Sequence, residues 1–257
     1  MDFLIALIIL VILLCLPVDL YKYEIPDILS NGLILIGILV HSYLIIYEKI
    51  LFSDLLISLG FGSFVGLSLF FSGNWGGGDA KLLIGVSAAG AALKNTLPFI
   101  LEYTINLILA GGIYSIFVVY FYSLKNYQKL KKEPYIKELF ILTAAFSIIF
   151  LAAGMIFLVI LTMYLSYIIQ TKYFDKEINT NDLVEGDWVV EKIYHNKKLI
   201  YSPRKIGLLK KDINLIQKYK KSVKVKGGIA FAPAFFIAII FTLHYPDILF
   251  DLFLARI

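Results

Sequence analysis

Cysteine is almost missing from this sequence. Cys15 is the single one in 257 residues, so no disulfide framework and no four-cysteine zinc site can form within it. Cys15 itself stands inside an apolar run, where packing is its expected role. His41 has no second histidine or carboxylate at metal-ligand spacing and reads as a hydrogen-bonded packing residue. No metal and no cofactor are therefore expected. Charged residues are scarce, at 17%, and long stretches have none, which excludes a water-soluble globular domain for most of the chain. There is no convincing internal repeat. The glycine-rich stretch at 73–78 lacks the Walker lysine spacing and ends in an acid that would repel a phosphate, so it is not a phosphate-cradling loop.

Hydrophobic residues make up 60% of the chain, in blocks long enough for a bilayer, whose core of about 30 Å takes about 20 apolar residues. The expected fold class is an all-α polytopic membrane protein with a small α+β soluble insert before the last transmembrane helix. A membrane domain over 1–170 would hold spans at about 3–18, 28–47, 51–72, 80–93, 97–122 and 139–170. The insert would occupy 171–226 and a C-terminal transmembrane segment 227–257. The opening run lacks the basic leader and small-residue cleavage site of a secretory signal, so it reads as a retained span. Gly62 and Gly66, at GxxxG spacing, suggest close approach of another helix. Glu102, near one end of the fifth span, is expected to snorkel to the interface. Block 139–170 is long for one span and short for two, and a hairpin bending near Gly154 would keep the basic loops on one side. Within the insert, 187–194 and 199–202 read as strands around a turn at Asn196-Lys197-Lys198. A helix is expected at 210–221 and a strand at 222–226. So short a segment is expected to lean on the membrane domain or the headgroups.

The net charge of +5 is unevenly spread, with lysines concentrated at 125–137 and 172–226. By the positive-inside rule these segments face the cytoplasm. Membrane lipid is thus an expected partner and nucleic acid is not, because a membrane protein needs such a basic anchor in any case.

Two acidic turns carry the candidate chemistry. Asp19 follows the first span in a polar turn, 19–27, that Pro26 breaks. Asp79 ends the turn Gly73-Asn74-Trp75-Gly76-Gly77-Gly78 and opens the next apolar helix. Spans two and three carry the chain across and back, so both acids belong at one membrane face. Carboxyl groups held close together cannot easily ionise together, so one keeps a proton while the other is charged. The charged one can take a proton from water attacking a peptide carbonyl, and the neutral one can protonate the departing amine. Gly76, Gly77 and Gly78 would let an extended peptide approach Asp79. The bland alternative makes Asp79 a helix cap near the positive dipole end. A rival class is a transporter or channel in which Asp19, Asp79 and Glu102 line a proton or cation path.

The sequence Gly76-Gly77-Gly78-Asp79-Ala80-Lys81-Leu82-Leu83 resembles the GxGD signature of the type IV prepilin peptidases, which include the archaeal preflagellin peptidases. Asp19, six residues before Ile25-Pro26, resembles the first motif of that family. The segment 228–234, Gly-Ile-Ala-Phe-Ala-Pro-Ala, is similar to its C-terminal Gly-Ile-Pro-Phe-x-Pro stretch. The resemblance implies a membrane aspartyl protease with Asp19 and Asp79 as the catalytic pair and its site facing the cytoplasm of a multi-pass cell-membrane protein. Pro26, Lys81 and Pro233 would shape the site with the three glycines. The substrates implied are prepilin-like or archaellin precursors, cut between a basic leader and a hydrophobic helix. Bacterial relatives often carry a tetracysteine domain and also methylate the product; with one cysteine, cleavage without methyl transfer is expected. Asp27 stands where many members have asparagine, and Ala230 where many have proline.

Overall fold

The computed structural model describes residues 2–93, 98–133, 135–149, 160–165, 167–169, 175–204 and 207–245. In chain order the elements are α1 (Asp2–Lys22), α2 (Asp27–Ile46), α3 (Phe52–Phe71), α4 (Gly77–Gly90), α5 (Phe99–Lys125), α6 (Tyr127–Leu130), α7 (Ile136–Ile149), β1 (Asp175–Asn179), β2 (Ile193–His195), β3 (Lys198–Tyr201), α8 (Lys210–Tyr219), β4 (Ser222–Lys226) and α9 (Ala232–His244). The chain is mostly helical, with a small sheet region late in the sequence. Four helices, α1, α2, α3 and α5, are long and apolar enough to cross a bilayer. Leu10 and Leu14 of α1, Leu35 and Leu39 of α2 and Phe64 of α3 are exposed, apolar surface that suits lipid and would be a liability in water.

The chain forms two compact units. The first comprises 1–112 and 230–257, the second 113–229. This differs from the boundaries expected at 170/171 and 226/227. The physical reason is α5: its C-terminal half carries Val119, which packs with Leu130, Ile136, Leu161 and Leu165 in a core of the second unit.

At the centre of the first unit is α4, built from small residues and buried along most of its length. At about 1.5 Å per residue, its 14 residues rise only about 21 Å, less than a bilayer. Such a short helix is tolerable because protein, not lipid, surrounds it. Gly37 of α2 lies against the backbone of Ala88 and Ala89, where an added Cβ would come within 2.7 Å. On α3, a Cβ at Gly62 would overlap Ser87 Oγ, and one at Gly66 would fall 3.1 Å from the Ala80 carbonyl. The GxxxG pair is therefore a packing face, as its spacing suggests. Ser58 Oγ adds a hydrogen bond to the Ser87 carbonyl at 2.7 Å. His41 closes the far end of α4: its Nε2 accepts the Ala92 N–H at 2.9 Å while Nδ1 donates to the Gly37 carbonyl at 2.8 Å. The neutral tautomer protonated at Nδ1 satisfies both bonds, in keeping with a packing histidine.

Two boundaries and one side chain differ from those expected. The first helix continues past 18 to Lys22, so Asp19 is helical and not part of a turn; the break comes at Tyr23, with φ 61, and at Pro26. The last helix starts at Ala232, since Pro233 fits only its first turn. It is described to His244, 13 residues, too few to cross alone. In α5, Glu102 is buried, 3% exposed, and does not snorkel out. The proposed bend at Gly154 lies outside the described residues.

The insert has a core of its own. Leu183, Val189, Ile193, Tyr201, Leu208, Ile213, Ile216, Val223 and Val225 are buried together. β1 pairs antiparallel with β4, and β2 with β3. Segment 188–190 lies along the other side of β4, through Val190 N–H to the Lys224 carbonyl and Lys226 N–H to the Trp188 carbonyl. α8 buries Ile213 and Ile216, as its periodicity predicts.

Candidate active site

α1 delivers Asp19 near its C-terminal end, and the Tyr23–Pro26 bend then turns the chain into α2. After α2 and α3, the turn at 72–76 brings the chain back, and Asp79 occupies the third position of α4. Two contacts tie the ends of this path together. Lys81 Nζ donates to Asp27 Oδ1 at 2.7 Å, forming an ion pair. Gly78 faces Ile25 so closely that a Cβ there would sit 2.9 Å from the Ile25 Cβ.

The space beside Gly78 is thus filled by the turn before Pro26. This corrects the expectation that all three glycines leave room for a substrate backbone. The absent side chain at Gly78 serves a close contact between the two acidic segments. Gly77 meets only ordinary contact with Phe70, and Gly76 only the Asp79 carboxyl.

The C-terminal motif completes the site. Ala232, the first residue of α9, donates its N–H to Asp19 Oδ2 at 2.7 Å. That donor is one of the orphan N–H groups at a helix start, and Pro233 just after it has none to give. Asp79 Oδ2 accepts the Gly76 N–H at 3.1 Å, capping α4 from within. Each acid therefore accepts a backbone N–H at the start of a helix, Asp19 from α9 and Asp79 from α4. Asp19 is nearly buried, at 4% exposure, and Asp79 is partly exposed. The pair lies close enough for the charge of Asp19 to act on Asp79. No hydrogen bond joins them directly among the described residues.

An aromatic wall was not foreseen in the sequence. Trp75, from the glycine-rich turn, meets Phe231 and Phe235 with ring centroids 5.5 and 5.7 Å away. Tyr103 of α5 lies 6.4 Å from Phe235 and donates its hydroxyl to the Phe235 carbonyl at 3.2 Å. Asn106 and Thr242, 3.0 Å apart, extend this seam along α9. The available signal was position: Trp75 and Phe231 each lie inside a motif. Their pairing across more than 150 residues leaves no periodic trace.

The site therefore gathers Asp19, Pro26, Gly76, Gly77, Gly78, Asp79, Lys81 and Pro233, drawn from three distant segments, at one end of the first unit. No family model, no curated protein and no solved structure matches the chain.

Proposed function

We propose that this chain is a membrane-embedded aspartyl endopeptidase. Within that class, we read it as a peptidase of the prepilin and preflagellin type, removing the basic leader of pilin-like or archaellin precursors at its junction with a hydrophobic helix. The observation carrying this reading is the meeting of Asp19 and Asp79, 60 positions apart in the chain, beside the third motif that resembles the same family.

The proposed reaction needs only the two carboxyl groups, one proton and water. The ionised carboxylate takes a proton from water as its oxygen attacks the scissile carbonyl carbon. The protonated carboxyl group hydrogen-bonds the developing oxyanion. As the tetrahedral intermediate collapses, the C–N bond breaks and the amine leaves with a proton from the pair. One shared proton returns the pair to its starting state. Trp75 and Phe231 offer an apolar surface to the hydrophobic part of the substrate, and Glu24 an acidic edge to a basic leader. Orientation toward the cytoplasm and a soluble insert before the last span belong to the same proposal, supported by the lysine-rich segments.

The test is cleavage. Membranes containing the full chain are mixed with a tagged precursor, and the new N-terminus is read by mass spectrometry. Cutting at the leader junction, lost in D79N while the protein still inserts, is the expected result. Undiminished cleavage by D79N would overturn the mechanism. Proton or cation flux in reconstituted vesicles, abolished by the same substitution without any cleavage, would favour the transporter class instead.

A further inference from the structure

Away from the acid pair, a cluster of lysines gathers at one end of the insert. Between Asp175 and Lys226 the sequence has thirteen lysines and arginines against seven acids, an excess larger than the net +5 of the whole chain. Part of it is matched. Lys224 and Lys226 on β4 lie opposite Glu177 and Asp175 on β1, and Arg204 pairs with Asp212 at 3.4 Å.

Ten basic residues remain, and the fold collects five of them, all lysines, in one place. Lys197 and Lys198 stand at the tip of the β2–β3 hairpin. Lys218, Lys220 and Lys221 stand at the C-terminal end of α8. The rings of His195 and Tyr219 meet at 4.6 Å and hold the hairpin tip against that helix end. All five lysines are exposed, and none has an ion-pair partner among the described residues.

Apolar surface borders this charge. Tyr194 and Leu199 face each other across the hairpin and are 54% and 48% exposed. Amphipathic and aromatic side chains mixed with lysine suit a headgroup layer, where rings and alkyl stems enter and ammonium groups meet phosphate. The turn itself adds an argument. Asn196 and Lys197 both have positive φ, 48 and 64, the geometry for which Asn-Gly is the favoured pair. A lysine here keeps a charge at the tip where glycine would cost less.

We propose that this end of the insert docks on a bilayer surface rich in anionic headgroups. The chain on both sides of the insert leads into apolar helices, so the encounter is intramolecular and a weak surface affinity is enough. Each lysine near an anionic surface shifts the docked-to-undocked ratio about fivefold. The inference does not depend on the peptidase reading.

The experiment uses the full chain in vesicles of phosphatidylcholine, alone or mixed with phosphatidylglycerol, with lipids carrying a headgroup quencher. A fluorophore is attached at N196C on the hairpin tip or, as reference, at E185C, near the start of α8. The expected result is strong quenching at 196 and weak quenching at 185, only with phosphatidylglycerol, reduced by salt. Joint replacement K197Q, K198Q, K218Q, K220Q and K221Q removes it. The matching arginine replacements, which preserve charge and fold, retain it. Equal quenching at both positions, equal quenching without anionic lipid, or an unaffected glutamine variant would each overturn the proposal. So would binding of a labelled oligonucleotide that depends on the same lysines, with no lipid quenching.

Discussion

Asp19 has one structural duty and one proposed catalytic duty, and the Asn and Ala substitutions separate them. Its Oδ2 accepts the buried Ala232 N–H at 2.7 Å, and its carboxyl group is proposed to share the catalytic proton. Asp19→Asn preserves an acceptor of the same size, and asparagine caps a helix about as well as aspartate, so stability should change by no more than about 1 kcal/mol. Asp19→Ala leaves the N–H at the head of α9 without a partner, at a cost of about 1–3 kcal/mol. For a chain of this length that lowers Tm by about 2–4 °C per kcal/mol. Cleavage should fall in both variants, by about 10²–10⁴-fold if the group acts as acid or base, which is about 3–5 kcal/mol in the barrier. Thermal unfolding in detergent and cleavage of a tagged precursor measure the two effects independently. Full cleavage by Asp19→Asn refutes the catalytic duty; equal Tm for the Asn and Ala variants refutes the capping duty.

Gly60→Ala and Gly62→Ala compare two sites on α3 with the same intrinsic helix gain of about 1 kcal/mol. Gly60 faces open space and should show that gain, whereas Gly62 meets Ser87 and should lose about 1–3 kcal/mol to overpacking; Tm values in the reverse order would contradict the α3–α4 contact. Lys81→Ala should lower stability by less than about 1 kcal/mol, because the ion pair with Asp27 is largely exposed; a larger loss in chemical denaturation would mean the pair is desolvated. Burial, followed by the charge of Asp212 and offset in part by Arg204, holds the Tyr201 hydroxyl above the usual tyrosine range. The sign follows: its contribution to the insert is intact below the unfolded value near 10 and is lost as pH rises through the higher folded value. Absorbance titration of the full chain and of Y201F should differ by one late-ionising phenol; an early one would contradict its burial.

Much of this organisation could be read from the sequence because bilayers and helices impose simple periods. Runs of apolar residues give α2 and α3 to within one residue at each end and α5 to within three, and the alternation of Ser222–Lys226 and the helical spacing of Ile213, Ile216 and Tyr219 give β4 and α8, although Tyr219 stays exposed. The nearness of Asp19 and Asp79 agrees with the count of crossings. Other features depend on contacts with no local signature. β1 was missed because it has no strong alternation and owes its form to pairing with β4. The polarity of Asp19 suggests a turn, yet the helix runs on until Tyr23 reverses φ. Gly78 in sequence suggests an open approach to Asp79, and only the packing of Ile25 reveals that the gap is filled. Glu102 was sent to the interface by its charge, while its surroundings hold it inside the first unit.

The clasp of His41 on Ala92 fixes a length. Between Asp79, tethered to Gly76, and Ala92, held by the imidazole, α4 is a strut with both ends fastened. One extra residue within it would advance one end by about 1.5 Å and turn it by about 100°, withdrawing either the acid from its partner or the backbone from the histidine. Lengthening the 47–51 connection strains neither fastening. Natural or engineered variants of this chain should therefore vary in that connection and conserve the span from the acid to the histidine's grip residue by residue.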